Sequence, residues 1–460
     1  MVSGALHMKS SLRRAALQLH ETFTGRRILE RLDELNRTQW LSYDELLALQ
    51  SKKLQRLVEY AYQYVPYYQK VFDTVGFHPE DLRQNPDYFS KLPVLTKSII
   101  RENWDELLTT EPERRQQLSK LSTSGSTGNP LIFMQDPDFR DVVTADIQRH
   151  IGWAGCGLGD RHAFIWGASQ HMRFRQKMRL QLIDLVWNRF QIDAFTMTEE
   201  TMANFARRVS REKPKVLFGY ATALYRFAQF IRTSPFKGIS FRGIFTTSET
   251  LLPHVRQYLE ETFQCKVYNR YGTLELGGVA CECEAHTGLH ISMENNFVEI
   301  LSDGLPVKTG EVGEIIVTNL NNLGMPFIRY NIGDAGAWYT GEDCPCGRKL
   351  PMLKTLEGRL VEAFYTRDGR SVWSGFAGAA YRCLAHPTIQ QFQIVQKSLE
   401  KMIVRLVPKG TIPRPILDEI SQAIRTSYGE NVVVDFEFPD EIPLLPSGKH
   451  SYAISELNRK

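Results

Sequence analysis

The chain has 460 residues, 42% of them hydrophobic and 23% charged, which is enough apolar side chain for more than one core and excludes a mostly disordered protein. Its 56 Lys and Arg against 52 Asp and Glu leave a formal charge of +4, too small an imbalance to attract nucleic acid or an anionic membrane, so small or neutral partners are expected. Apolar runs such as 131–134 end after a few residues, far short of the ~20 that span a bilayer.

The basic start, with Lys9, Arg13 and Arg14, runs on into His20, Glu21 and Arg26 rather than an apolar stretch, and does not read as a secretory signal. From Ser10 to Ser90, Leu46, Leu47, Leu49, Leu54, Leu57, Val58, Ala61 and Tyr62 fall mostly three and four apart, which predicts a helical lead-in over 1–90. The aromatic segment 62–68 is broken by Pro66, which predicts a turn between helices with its rings in the core. Over 121–317, β-type runs at 162–166, 216–218, 243–246 and 266–270 alternate with amphipathic helical stretches. That alternation predicts a large, multi-lobed α/β domain over 91–357. Beyond Glu357, short strands at 389–395, 401–406 and 432–438 surround one helix at 415–428, which predicts a small α+β domain over 358–460. No internal repeat stands out, and nothing specifies an oligomeric state.

The most informative segment is 121–130. Its Ser122, Thr123, Ser124, Gly125, Ser126, Thr127 and Gly128 leave backbone N–H groups and hydroxyls free to wrap an anion. Asn129 and Pro130 follow where a Walker loop carries Lys and Ser or Thr, which disfavours P-loop NTPase chemistry. Further along stand Thr247-Ser248-Glu249, Tyr271-Gly272-Thr273-Leu274-Glu275, Tyr330-Asn331-Ile332-Gly333-Asp334, Gly358-Arg359 and Pro446-Ser447-Gly448-Lys449. In this order the segments resemble the motifs of the adenylate-forming superfamily, and most of all its phenylacetate–CoA ligase-like branch, which includes members from capsular polysaccharide clusters. The resemblance covers roughly residues 40–455.

The resemblance implies ATP-dependent activation of a small-molecule carboxylate to an acyl-adenylate with release of pyrophosphate. Transfer of the acyl group follows, with coenzyme A as the first-choice acceptor and the 358–460 domain as a mobile lid. Attack of a carboxylate on the α-phosphate brings two anions together, so the site must supply positive charge and Mg²⁺. Glu275 is the candidate Mg²⁺ ligand, since a hard cation prefers carboxylate oxygen, and Thr273 stands in the same catalytic motif. Asp334 follows a glycine turn and can accept from both ribose hydroxyls. Tyr271 and Gly272, with Ser248 and Glu249, would border the adenine, and Arg359 would reach ribose or phosphate. Lys449, in a Pro/Gly-bounded loop, would bring a point charge to the carboxylate and α-phosphate when the lid closes. The chain departs from acyl-CoA ligases after Arg359, where Leu360-Val361-Glu362 lacks their Asp or Lys, so adenylation has more support than thioester formation.

Seven cysteines, including Cys281-x-Cys283 and Cys344-x-Cys346, suit a reducing compartment and a metal site better than a disulfide framework, and a cytoplasmic location is expected. With His286 and His290 they supply thiol and imidazole ligands in two clusters, of which tetrahedral Zn²⁺ takes four. By resemblance to zinc-containing members of the branch, the set is Cys283, His290, Cys344 and Cys346, with Cys281 and His286 as alternatives. Such zinc would be structural, pinning two loops, because the chemistry needs no open coordination position. Cys156, Cys265 and Cys383 are expected to be ordinary buried residues.

Phe218, Gly219, Tyr220 and Ala221, at a strand end entering a helix, form the candidate wall of the acyl pocket, faced by Phe164, Trp166, Gly167 and Ala168; an apolar or aromatic acid would suit it. Two other readings stay open. The adenylate is passed to an amine or amino sugar instead of coenzyme A, or the protein is a zinc-stapled nucleotide-binding module without turnover.

Overall fold

The computed structural model describes residues 10–123, 131–167, 183–302, 304–308, 310–359, 364–367, 371–372, 379, 383, 388–443 and 453–458. The lead-in is helical, as expected. Helix Tyr43–Tyr64 starts at a capping box, in which the Ser42 hydroxyl accepts from the Glu45 amide while the Glu45 carboxylate accepts from the Ser42 amide. Leu46, Leu54, Leu57, Val58 and Ala61 are its buried face, whereas Leu47, one residue off that stripe, is exposed. The helix stops because Val65 precedes a proline and is held extended, and Pro66 opens the next helix, Pro66–Val75. Tyr68 is core as expected: its hydroxyl donates to the Pro326 carbonyl at 2.9 Å and accepts from the Ile328 amide at 3.0 Å. The Gln50 amide donates to the Met293 and Asn296 carbonyls, so the lead-in shares one core with the sheet.

Among the described residues the central sheet has 12 strands. Its parallel part runs Arg189–Asp193, His162–Trp166, Val216–Tyr220, Gly243–Thr247 and Lys266–Thr273 in space. Of these, Val216–Tyr220 and Gly243–Thr247 are short, almost wholly buried runs, as central strands covered on both faces require. Period-two alternation divides them: Leu217, Ile244 and Val267 pack beneath helices Glu199–Glu212, Ala221–Thr233 and Pro253–Phe263, while Phe218, Phe245 and Tyr268 face the other core, with Ile151 and Trp153 of helix Pro137–Trp153. Strand Lys266–Thr273 belongs to both halves of the sheet. Residues 266–269 pair in parallel with Gly243–Thr247, and residues 270–273 pair antiparallel with Gly277–Glu282. The sheet then continues antiparallel through Leu289–Ile291, Met352–Arg359, Tyr330–Trp338, Gly313–Asn319, Asn296–Ser302 and Leu305–Pro306.

A second, four-stranded sheet lies in the C-terminal part, in the order Val433–Glu437, Lys401–Pro408, Ile389–Ser398, Ala453–Ser455. Helix Arg414–Tyr428 contributes Ile420 and Ile424 to a core of its own with Phe364, Phe392, Ile394, Val404 and Leu406. The fold is thus α/β with a separate C-terminal sheet domain, as the sequence pattern implies. No helix among the described residues is long and apolar enough to cross a membrane.

A buried ionic network braces the sheet where it changes from parallel to antiparallel. Arg149, fully buried, pairs with Asp146 at 2.8 Å and Glu294 at 2.7 Å, and Arg270 approaches Asp146 at 3.5 Å. Ser292 bridges Arg149 and Asp146. Burial depresses His150 well below its ordinary value, so it sits there neutral, and two carboxylates face two guanidiniums. Gly278 leaves room for this network, since a Cβ there would overlap the Asp146 carboxylate. Arg149→Met should strand two buried acids and cost about 3–5 kcal/mol. It would be read as a drop in the urea midpoint with the slope unchanged; a loss below ~1 kcal/mol would show that the network is already solvated.

Candidate active site

The Ser/Thr/Gly-rich segment begins at a hairpin. Ser119–Ser122 pairs antiparallel with Ile132–Gln135, and the turn is latched by the Thr123 amide donating to the Leu131 carbonyl and the Leu131 amide donating to Thr123 Oγ1, both at 2.9 Å. Ser122 is exposed and Thr123 half-buried at its mouth, while Ser124, Gly125, Ser126, Thr127 and Gly128 lie outside the described residues. The hairpin's base is fixed by Asp136. Its carboxylate caps helix Pro137–Trp153 through the Phe139 amide, accepts from the Leu323 and Gly324 amides, and pairs with Arg114 at 3.1 Å. Burial raises the Asp136 carboxyl, against the pull of those amides and Arg114.

Beside the hairpin, strand Lys266–Thr273 shifts register between Tyr271 and Gly272. Gly272 is required there because a Cβ would overlap the Gly277 carbonyl oxygen. The chain then turns tightly, the Thr273 hydroxyl accepting from the Leu276 amide at 3.2 Å, and leaves Glu275 only 5% exposed. Glu275 Oε1 accepts from the Tyr330 hydroxyl at 3.1 Å, and Asp334 Oδ2 accepts from the Tyr271 hydroxyl at 2.9 Å. Asp334 also pairs across the sheet with Arg359, so Gly358-Arg359 reaches the same place by backbone register. The Gln135 amide donates to the Leu274 carbonyl at 2.8 Å and joins the hairpin to the Glu275 turn. Gln135, Asp136, Arg114 and the hydroxyl of Tyr330 went unread in the sequence; a polar residue flanking each motif was the available signal.

Ser248 is exposed in a left-handed conformation at φ 67°. Glu249 turns toward helix Ala221–Thr233, where its carboxylate accepts from the Thr222 amide at 2.8 Å and from the Thr222 hydroxyl. It thereby ties the nucleotide motif to the candidate acyl wall and sits favourably at a helix N-terminus. In that wall Phe218 is buried among Phe164, Trp166 and Phe245, and is core. Tyr220 is half-buried, its ring 4.8 Å from that of Trp166 and 6.2 Å from that of Phe195, and burial raises its phenol. Gly219 lets strands approach, since a Cβ would lie 2.7 Å from the Ile165 carbonyl, and Ala221 is buried at the helix start. Ala168, the hinge at Val361 and the loop carrying Lys449 lie outside the described residues.

Away from this centre, the ligand atoms of Cys283, His290, Cys344 and Cys346 all lie within 4.8 Å of one another. Cys283 and Cys344 sulfurs are 3.5 Å apart, and Cys346 Sγ is 3.3 Å from His290 Nε2. His290 Nδ1 faces the Leu350 carbonyl at 3.0 Å, which presents Nε2 to the thiols. Burial lowers His290 to about 4, leaving it neutral, as a ligand must be. Burial pushes the Cys344 thiol up, but bonds from the Thr287 hydroxyl and Cys346 outweigh it and hold the thiol below its ordinary value. Cys281 and His286 stand apart: Cys281 lies against the Glu282 carbonyl and His286 against the Glu282 carboxylate. Of the remaining cysteines, Cys156 and Cys383 are buried and Cys265 is half-buried.

The chain is similar to known proteins over most of its length. Residues 364–456 match the family described as CapK C-terminal domain. The chain is 24% identical over 419 residues to protein CapK of Staphylococcus aureus, covering 90% of each. It is 25% identical over 400 residues to a phenylacetate–coenzyme A ligase of Thermus thermophilus, covering 84% of this chain and 85% of that one. Over most of its length the chain is similar to the phenylacetate–CoA ligase-like branch of adenylate-forming enzymes. Its fold is that of 2-hydroxyisobutyryl-CoA ligase, whose crystal structure in the postadenylation state superposes with a TM-score of 0.74 at 19% identity over 92% of both chains. Motif segments of the large domain that are far apart in sequence meet through the hydrogen bonds above.

Proposed function

We propose that the protein is an AMP-forming acid–thiol ligase: it activates a carboxylic acid with ATP to acyl-AMP and pyrophosphate, then transfers the acyl group to coenzyme A. The observation that carries this reading is the meeting of three distant segments, with Gln135 on the Leu274 carbonyl, Tyr330 on Glu275 and Tyr271 on Asp334. In the first half-reaction a carboxylate oxygen attacks the α-phosphorus, the bond to the β-phosphate bridging oxygen breaks, and pyrophosphate leaves with that electron pair. In the second, the thiol sulfur attacks the acyl carbon, its proton passes to solvent, and AMP leaves.

The residues divide the work. Residues 122–128 hold phosphate oxygens by backbone N–H groups and hydroxyls. Asp334 accepts from the ribose hydroxyls and Tyr271 borders the adenine, with Gly272, Ser248 and Glu249 around it. Arg359 reaches ribose or phosphate. Glu275, buried yet carboxylate-bearing at the turn after Thr273, suits a hard divalent cation. Bound Mg²⁺ would draw charge from the phosphate oxygens during attack. Tyr220, Gly219 and Ala221, with Phe218 behind them, support an apolar or aromatic acyl group. Residues 358–460 act as a mobile lid on the large domain of 91–357 and its 1–90 lead-in, and bring Lys449 to the α-phosphate. The three thiols and one imidazole suit a tetrahedral structural Zn²⁺, and the thiol-rich composition suits the cytoplasm.

Mass spectrometry of the products formed from ATP and a carboxylate library tests the reading: an acyl-AMP that becomes an acyl-CoA when the thiol is added is expected. Conversion only by an amine or amino sugar would establish the alternative acceptor, which Val361 and the capsular-cluster resemblance favour, with a place in polysaccharide biosynthesis. Failure to form any adenylate would leave the nucleotide-binding module. Glu275→Gln should cut adenylation about 10²-fold with the fold intact, by removing the charged ligand. Pyrophosphate–ATP exchange at limiting Mg²⁺ reads this step directly, and normal exchange there would remove Glu275 from the site.

A further inference from the structure

The two motifs that supply carboxylates are crossed. Tyr271 precedes Glu275 but donates to Asp334, and Tyr330 precedes Asp334 but donates to Glu275. Tyr330 is fully buried on strand Tyr330–Trp338, with its ring 5.0 Å from Phe327, so its hydroxyl has a fixed origin. The Glu275 turn is restrained from the other side as well: Gln135, itself 6% exposed, donates to the Leu274 carbonyl, and the Asn319 amide donates to the Leu276 carbonyl at 3.1 Å. The carbonyls of Leu274 and Leu276, the residues on either side of Glu275, are therefore anchored to different elements, and one Glu275 carboxylate oxygen is bound. A carboxylate so held has one oxygen in use and the other pre-aimed, which lowers the reorganisation needed to take up a cation.

We infer that Tyr330 and Gln135 are positioning residues that preset Glu275 for the divalent cation. The inference rests on the reading of Glu275 as a Mg²⁺ ligand. Both act through Glu275, Tyr330 on its side chain and Gln135 on the peptide that leads into it.

Calorimetric binding of α,β-methylene-ATP, titrated across MgCl₂ concentrations, tests this without turnover. Tyr330→Phe keeps the ring and removes only the hydroxyl. It should raise the Mg²⁺ concentration for half-maximal tightening of analogue binding about tenfold, the scale of losing a partner that orients a metal ligand, while Mg²⁺-free binding stays within about twofold. Gln135→Leu should act in the same direction and carries the test if the tyrosine variant does not fold. In Tyr330→Phe/Glu275→Gln the tyrosine change should add almost nothing to the loss in Glu275→Gln alone. An unchanged Mg²⁺ dependence in Tyr330→Phe and Gln135→Leu, beside an altered one in Glu275→Gln, would overturn the inference and leave the assignment of Glu275 standing. Equal weakening with and without Mg²⁺ would also overturn it, as a general loss of structure. A normal Mg²⁺ dependence in Glu275→Gln itself would overturn the assignment on which it rests.

Discussion

Lys449→Ala should cut acyl-AMP formation by a factor on the order of 10² or more, the scale of losing one positioned charge from a reacting anion pair. The lysine lies between Gly448 and His450, three residues after Pro446 in the sequence, and the proposal gives it a task in only one half-reaction. In that proposal it would screen the incoming carboxylate from the α-phosphate during adenylation. Transfer needs no such screening, because the acyl carbon is neutral and AMP is the leaving group. Supplying synthetic acyl-AMP with coenzyme A or an amine should therefore restore the mutant to near the wild-type rate. Equal losses in both assays would point to misfolding or to a lid that never moves, and unchanged adenylation would remove Lys449 from the mechanism.

Cys344→Ser combined with Cys346→Ser should have the largest effect on stability. The sulfurs of Cys283 and Cys344 and the Cys346–His290 contact join the loop after strand Gly277–Glu282 to the segment before strand Met352–Arg359. Structural zinc binding is worth about 10 kcal/mol or more in small domains, and much of that is folding free energy. The double mutant should lose zinc and several degrees of apparent melting temperature, and chelation of the wild type should reproduce the shift. The rate of the chemical step in protein that remains folded should change far less. Absence of zinc from protein purified without chelator, with its thiols reduced, would contradict the metal assignment.

The parallel strands were legible because a strand covered on both faces must be a short, continuous apolar run, as at Val216–Tyr220 and Gly243–Thr247. Hairpin Ser119–Ser122/Ile132–Gln135 was not read, since strands of four residues with mixed polarity carry too little period-two signal. Strand Ala453–Ser455, three residues long and paired in parallel with Ile389–Ser398, escaped for the same reason. The motifs of the large domain that the sequence singled out meet in the fold. They did not disclose that each tyrosine serves the other motif's acid, because that pairing depends on the register of strands remote in sequence. No spacing in the sequence marks Asp146, Arg149, Arg270 and Glu294 as a set, and only their burial reveals a shared network. The Cys/His cluster was legible as a set of thiols and imidazoles, but spacing alone left Cys281 and His286 in play; strand Gly277–Glu282 ends before Cys283, which frees that residue from the alternation governing Cys281.

The central claim is that this site joins a carboxylate to the α-phosphate of ATP. Isotope exchange between pyrophosphate and ATP measures that step alone, with no thiol or amine present. The account predicts exchange that depends on an added carboxylic acid and on Mg²⁺, and that falls about 10²-fold in Lys449→Ala. Carboxylate-dependent exchange that is undiminished in Lys449→Ala, or ATP binding with no exchange across a broad panel of apolar, aromatic and polar acids, would contradict it.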